Sequence, residues 1–409
     1  MVHQTMNSNT SSASSASSKS IPMRRAYRAA AAAALLAVGA CAVAPPQPAL
    51  PAAPAEPRAI AAPAPAPPLS LHPGSRWQAA AWGDLPGWDG DRTREAWLAL
   101  QRSCARLSAE LQREAPAWPR LCQEALRHQP ADDAATRAWL MQRLLPYRVL
   151  PLDASAAPQG LATGYFEPQL EASRSPRGAL QVPLYAPPAD LATRKPWYTR
   201  AQADALPAAQ AALRGRELAY VADPLDALLL QIQGSGRVRL TGTDGRVQNI
   251  RLAFAGHNDQ PYQSIGRWLI DQGELKPGEA SWPAIRDWAR RHPGRVPELL
   301  NVNPRLVFFR EEALPDANLG PRGGQGVALI PERSIAVDTK SIPYGTPVWL
   351  DTTEPLTATP LRRLVLAQDT GSAITGAVRA DYFWGWGERA EQQAGRMKQA
   401  LNLWVLWPK

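Results

Sequence analysis

A mainly β protein with flanking helices is the fold this sequence predicts, and three patterns carry the prediction. Apolar residues at helical spacing are concentrated between Arg94 and Leu145. From Leu161 the chain breaks into short strand-type runs punctuated by Gly and Pro. Towards the C-terminus, two apolar, β-branched runs lead into Asp338 and Asp369, where a strand should pass into a loop. A chain of 409 residues is long enough for more than one domain and a sizeable core.

The first 41 residues read as a leader. Residues 1–22 are Ser-rich without apolar periodicity, and translation starts either at Met1 or at Met23. After Met23, Arg24, Arg25 and Arg28 make a positive n-region, and Ala29 to Ala40 is an apolar run too short to remain as a membrane span. Val38-Gly39-Ala40-Cys41 is lipobox-like, which predicts lipidation of Cys41; a secretory signal cleaved after small residues is the alternative. Position 42 is Ala rather than Asp, so the resemblance to bacterial lipoproteins implies outer-membrane sorting. Loss of the leader lowers the formal charge from +9 to about +5. That balance suits an anionic polymer, and no feature points to nucleic acid. Residues 42–75 are nearly all Ala and Pro, which predicts an extended tether reaching on the order of 80 to 100 Å. The folded part should then begin after Gly74.

Within it, Trp97, Leu100, Cys104, Leu107 and Leu111 fall on one face of a single helical segment, and Trp139, Leu140 and Leu144 on another. Asp132 and Asp133 are N-cap candidates for the second. Cys104 and Cys122 are the only cysteines after Cys41, an even pair in an oxidising compartment, which favours a disulfide between two helices over two buried thiols. Later helices are expected around Ser264 to Gln272 and Trp282 to Arg290.

The β-rich region has two distinctive pieces, Thr163-Gly-Tyr-Phe-Glu-Pro168 and Leu228-Leu-Leu-Gln-Ile-Gln-Gly-Ser-Gly236. The second reads as a strand, so Gln231 and Gln233 should share one face. Paired amides there suit sugar hydroxyls and acetamido groups. No Gly-Lys-Ser/Thr follows, so this is not a P-loop, and Ser235 lacks the Gly-x-Ser-x-Gly elbow of a serine hydrolase. Five histidines, none at metal-ligand spacing, argue against a zinc peptidase. Leu306-Val-Phe-Phe309 should start the strands that lead to the aspartates.

Three aspartates stand in glycine-rich or turn-rich islands. They are Asp338 with Ile342-Pro-Tyr-Gly-Thr346, Asp369 in Gln368-Asp-Thr-Gly-Ser-Ala-Ile-Thr-Gly376, and Asp381 in Arg379-Ala-Asp-Tyr-Phe-Trp-Gly385. Carboxyl groups gathered in a cleft raise one another's pKa, which favours a protonated acid at neutral pH. Asp369-Thr-Gly-Ser372 also has the look of an aspartic protease, whose chemistry needs two such motifs. Only one is present, so that reading requires a homodimer. The full pattern, three spaced motifs in order, resembles the three-aspartate module of the membrane-bound lytic murein transglycosylase A family. Thr163-Gly-Tyr165, Gln233-Gly-Ser-Gly236, Phe254-Ala-Gly-His-Asn258 and Pro261-Tyr-Gln-Ser-Ile-Gly266 resemble the same family, so the likeness runs from about Leu161 to the C-terminus.

The resemblance implies a double-psi β-barrel interrupted by a second β-rich domain, with a glycan strand in the groove between them. On that reading, residues 76–168 and 296–409 form the barrel domain and 169–295 the insertion. It implies Asp369 as the catalytic acid, with Thr163, Gly164, Tyr165, Gln231, Gln233, Ser235, Asp338 and Asp381 on the substrate side. It further implies non-hydrolytic cleavage of the β-1,4 bond between N-acetylmuramic acid and N-acetylglucosamine to 1,6-anhydro products, without cofactor or metal. The expected setting is the periplasmic face of a Gram-negative outer membrane, with peptidoglycan as partner and a wall-remodelling complex as a further one. A hydrolytic glycosidase using an aspartate pair and a non-catalytic wall-binding lipoprotein are the competing readings.

Overall fold

The computed structural model describes residues 69–355 and 357–409; the leader, Cys41 and the tether up to residue 68 lie outside the described residues. In chain order, β1 (Leu69–His72) and β2 (Ser75–Ala79) are followed by α1 (Trp97–Ala105), α2 (Ala109–Glu114), α3 (Trp118–Arg127) and α4 (Asp133–Arg143). Next come β3 (Leu144–Leu150), β4 (Gly160–Glu167), β5 (Gln169–Ser173), β6 (Val182–Tyr185), α5 (Arg200–Ala205), α6 (Pro207–Leu213) and β7 (Glu217–Val221). Then follow α7 (Pro224–Gln233), β8 (Ser235–Thr241), β9 (Val247–His257), α8 (Ile265–Asp271), α9 (Trp282–Arg291), α10 (Val296–Val302) and β10 (Val307–Ala313). The chain ends with β11 (Ser334–Val337), β12 (Pro347–Thr353), β13 (Pro360–Asp369), β14 (Arg379–Trp386), α11 (Glu388–Ala394) and β15 (Lys398–Pro408).

Two sheets organise these strands. The first runs β1-β2-β3-β15-β12-β13-β11-β14-β4. Its long last strand pairs with β12 through Asn402–Val405 and with β4 through Lys398–Leu401, which closes β4, β15, β12, β13, β11 and β14 into a six-stranded barrel. Two pairs in the barrel are parallel, β11 with β13 and β14 with β4. The second sheet runs β10-β9-β8-β5-β7-β6.

Strand periodicity explains why the barrel strands read as continuous apolar runs. On β13, Val365 and Ala367 point into the barrel core, while Leu364 and Leu366 point out against Leu100, Trp97 and Leu140 of the helical layer. Both faces are covered, so alternate residues are apolar on each side. Asp91 and Arg333 form a buried bidentate pair that ties the layer to the barrel, and Arg333 also reaches Glu95.

Several expectations need correction. The Ala/Pro-rich segment does not run to residue 75, because Leu69–His72 pairs with β2 as a strand. The expected single helix through Leu111 is two, because Ser108 caps a new start by accepting from the Leu111 N–H. Leu228–Gln233 is helical, not extended: Asp223 caps α7, Pro224 occupies its first turn, and Gly234 ends it in the left-handed region. These start and stop signals flank the 10 residues of the helix and outweigh the apolar run between them. Gln231 and Gln233 therefore do not alternate along a strand. Finally, the second sheet extends beyond residue 295, because Val307–Ala313 pairs with β9 instead of leading into the barrel. Asp132 caps α4 as expected, and a disulfide joins Cys104 of α1 to Cys122 of α3.

Candidate active site

A cleft of about 740 Å³ opens beside the C-terminal end of β13, and Asp369 stands in its wall. The strand delivers Asp369 at its last residue, after which Thr370 and Gly371 turn into the loop. The half-buried carboxylate accepts three hydrogen bonds, all from neutral donors. The Tyr165 hydroxyl reaches Oδ2 at 2.9 Å; the Gly324 and Thr370 N–H groups reach Oδ1 at 2.8 and 2.9 Å. Burial raises the pKa of Asp369 from its ordinary value, against the pull of these donors. The Tyr165 phenol is pushed well up by burial and by the neighbouring carboxylate, so it remains a donor. Oδ1 is taken by two backbone N–H groups, and Oδ2 has a single partner, the Tyr165 hydroxyl.

The approach of the Gly324 N–H depends on glycine. A Cβ on Gly323 would lie 2.5 Å from the Gln368 carbonyl oxygen, and one on Gly324 would lie 2.2 Å from the Tyr344 hydroxyl. Only a chain without side chains at these positions passes this close to the acid.

Asp381 is the other carboxylate lining the cleft. Burial raises its pKa to about 6; the Thr163 hydroxyl and Arg379 oppose the shift, and the charge of Asp369 adds to it. Thr163 Oγ1 donates to Asp381 Oδ1 and accepts from Arg379 Nη2 at 2.8 Å. Parallel pairing of β14 with β4 sets Asp381 opposite Thr163 and so builds this relay.

Asp338 is placed differently. It is absent from the cleft lining, and its oxygens accept from the Lys340 N–H at 3.0 Å and the Gly376 N–H at 2.9 Å. It thereby clasps the loop after β11 to the end of the Asp369 loop. The other expected residues, Thr163, Gly164, Tyr165, Gln231, Gln233 and Ser235, all line the cleft. Gln233 Oε1 accepts from the Phe166 N–H and Gln231 Oε1 from Arg200, so each amide has its own partner.

Sequence reasoning did not single out the insertion's contribution to the far wall. Phe254 and Tyr262 present rings 45% and 37% exposed, and Arg305 reaches across to the Ser372 hydroxyl at 2.6 Å. The motifs around Phe254 and Tyr262 carried the family likeness, but nothing local marks which side chains face the cleft. Among the described residues, no group of three His, Cys, Asp or Glu is arranged to hold a metal ion.

Comparison with known proteins gives two domain matches: the MltA specific insert domain over residues 161–310 and the 3D domain over residues 333–407. The chain is 32% identical over 284 residues to membrane-bound lytic murein transglycosylase A of Vibrio cholerae, covering 66% of this chain and 73% of that protein. Among solved structures, the lytic transglycosylase LtgG of Burkholderia pseudomallei is similar at 47% identity and a TM-score of 0.57, covering 84% of this chain and all of that one. Escherichia coli MltA with bound chitohexaose is similar at 29% identity and a TM-score of 0.58, covering 76% and 89%.

Proposed function

This chain belongs to the membrane-bound lytic murein transglycosylase A family and is a peptidoglycan lytic transglycosylase, and from that premise we propose that Asp369 serves as its single acid and base. The observation that carries the proposal is a carboxyl group in the cleft wall held only by neutral donors, in surroundings that favour its protonated form. Protonated Asp369 donates to the oxygen of the β-1,4 bond between N-acetylmuramic acid and N-acetylglucosamine. The resulting carboxylate then takes the proton of the muramyl C6 hydroxyl, which closes onto C1 as a 1,6-anhydro ring. The nucleophile is already tethered to the reacting sugar, so no second catalytic carboxylate is required. The Gly324 and Thr370 N–H groups stabilise the intermediate carboxylate, and Tyr165 holds its other oxygen. The rings of Phe254 and Tyr262 suit the apolar faces of sugars, and the amides of Gln231 and Gln233 their acetamido groups.

The bound glycan in a related structure supports the cleft as the path of the strand. The family's membrane-bound name supports membrane association, and the leader motif supports lipid attachment at Cys41 on the periplasmic face of the outer membrane. Among the described residues, no helix is long and apolar enough to cross a membrane.

The deciding experiment is mass spectrometry of digested sacculi. Products lighter by one water than muramidase products are expected. Products with reducing ends would make the protein a hydrolase with an aspartate pair, and binding without release would make it a wall-binding protein.

A further inference from the structure

Charge in the cleft is unevenly matched. Its walls carry Arg305, Arg310, Arg322 and Arg379 against the carboxyl groups of Asp369 and Asp381. Arg310 pairs with Glu312 at 2.6 Å, and Arg379 lies beside Asp381, whose pKa it pulls down. Arg322 is exposed, whereas Arg305 is half-buried and held in place. The Nε of Arg305 donates to the Gln260 carbonyl at 2.8 Å and its Nη1 to the Ser372 hydroxyl at 2.6 Å, both neutral acceptors. Among the described residues, Arg305 has no carboxylate partner and its Nη2 no acceptor.

Strand register sets a second donor near this cation. Val307 pairs with His257, which brings the residues just before β10 alongside the histidine. His257 Nδ1 accepts from the Asp259 N–H at 3.0 Å, so the ring proton is on Nε2, and the imidazole supplies a donor to the cleft it lines. Burial, and then the charge of Arg305, lower the His257 pKa against the pull of Asp259, which keeps the ring neutral.

We propose that Arg305, with His257 beside it, forms an anion subsite for a carboxylate carried on the 3-O-lactyl branch of a muramyl residue. N-acetylmuramic acid differs from N-acetylglucosamine only in that branch. A fixed guanidinium without a counter-charge can therefore tell the two alternating sugars apart and set the register of the strand. In a peptide-free strand the carboxylate is the lactyl group's own; in a peptide-bearing strand that group is an amide and the carboxylates belong to the stem. The inference rests on a glycan strand occupying the cleft, and it is independent of which carboxyl group supplies the proton.

The test compares the wild type with Arg305→Gln and, as control, Arg239→Gln, which removes the same charge from the second sheet where Arg239 pairs with Glu171 outside the cleft. The probes are peptide-free glycan strands, the same strands with their lactyl carboxylates converted to methylamides, peptide-bearing strands, and chitohexaose, which has no lactyl branch. Half-saturation and kcat are measured on the strands, and affinity on chitohexaose. On at least one of the carboxylate-bearing strands, Arg305→Gln should raise half-saturation about tenfold with kcat nearly unchanged, because the contact is made in ground and transition states alike. Chitohexaose affinity should not move, and Arg239→Gln should match the wild type throughout. A loss confined to peptide-free strands assigns the subsite to the lactyl carboxylate, and one confined to peptide-bearing strands assigns it to the stem. The wild type should also half-saturate on a carboxylate-bearing strand at about a tenth of the concentration needed with the methylamide strand, an arm that holds even should Arg305→Gln fail to fold. Equal half-saturation of the wild type on charged and methylamide strands, wild-type behaviour of Arg305→Gln, or an equal loss on chitohexaose or in Arg239→Gln overturns the subsite. A wild type that binds neither chitohexaose nor glycan strands would instead remove the premise.

Discussion

Strand β4 brings together two carboxylates with opposite surroundings. Glu167, at the strand's end, is fully buried and accepts from two guanidinium groups, Arg237 and Arg251. Those arginines also donate to the carbonyls of Ala317 and Leu319, and Arg237 lies 3.5 Å from the centre of the Trp386 ring. Two residues earlier, Tyr165 serves Asp369, whose three bonding partners are all uncharged. A carboxylate clamped by two buried guanidinium groups acts as a joint, here between the barrel and the second sheet. One facing only neutral donors can take up and release a proton. Between these two carboxyl groups, the type of donor is the difference: guanidinium groups at Glu167 and neutral groups at Asp369.

The largest effects should follow that division. Asp369→Asn keeps the shape and the acceptor but cannot carry the proton, so turnover should fall by roughly 10³-fold or more while sacculus binding is retained. If Asp381→Asn proved equally inactive while folded and binding, the single-acid assignment would be lost. Glu167→Gln leaves two buried guanidinium groups without their counter-charge. It should destabilise the fold by roughly 3 to 5 kcal/mol in chemical denaturation, with the anhydro product unchanged. A folded, stable Glu167→Gln protein with altered product chemistry would mean that the joint takes part in catalysis.

Much of this contrast was legible before the structure. The strand-to-loop aspartates, the motif order and the cysteine pair depend on local pattern, and Asp369, Asp381, Thr163 and Tyr165 do meet in one cleft. What was hidden depends on contacts remote in sequence. Asp338 looked equivalent to its companions because its turn motif is just as marked, yet that motif serves a loop clasp to Gly376. Ser103 is an unremarkable serine until α1 is packed against Gln368, 265 residues away. The strand reading of Leu228–Gln233 failed because a short apolar run has no decisive period, and the capping residues Asp223 and Gly234 were the better guide.

Helix α1, whose Ser103 bonds Gln325 and Gln368, is itself tied down covalently. The disulfide pins α1 to α3 one residue from Ser103. Replacing Cys104 and Cys122 together by Ala should lower stability by roughly 2 to 4 kcal/mol, read by denaturant melting. Wild-type stability in that variant would show that helix packing alone sets the position of α1.

The smallest expected effect sharpens the comparison most, because it separates charge from shape at Asp381. In the fold this carboxyl titrates at about 6, above its ordinary value of 3.8, chiefly through burial. Between those values the folded state holds more protons than the unfolded state, so stability falls as pH rises through the window, and the full loss is present above it. Asp381→Asn keeps an oxygen for the Thr163 hydroxyl but carries no charge. It should therefore stabilise the protein by on the order of 1 to 2 kcal/mol at neutral pH and by nothing at a pH below both values. Coupling between neighbouring carboxylates is mutual, so the same substitution should lower the pKa of Asp369 and move the alkaline limb of activity towards acid. The measurement is thermal stability at two pH values together with rate against pH. A stability gain of equal size at both pH values would trace the effect to packing, and an unmoved limb would mean that the two cleft carboxyl groups titrate independently.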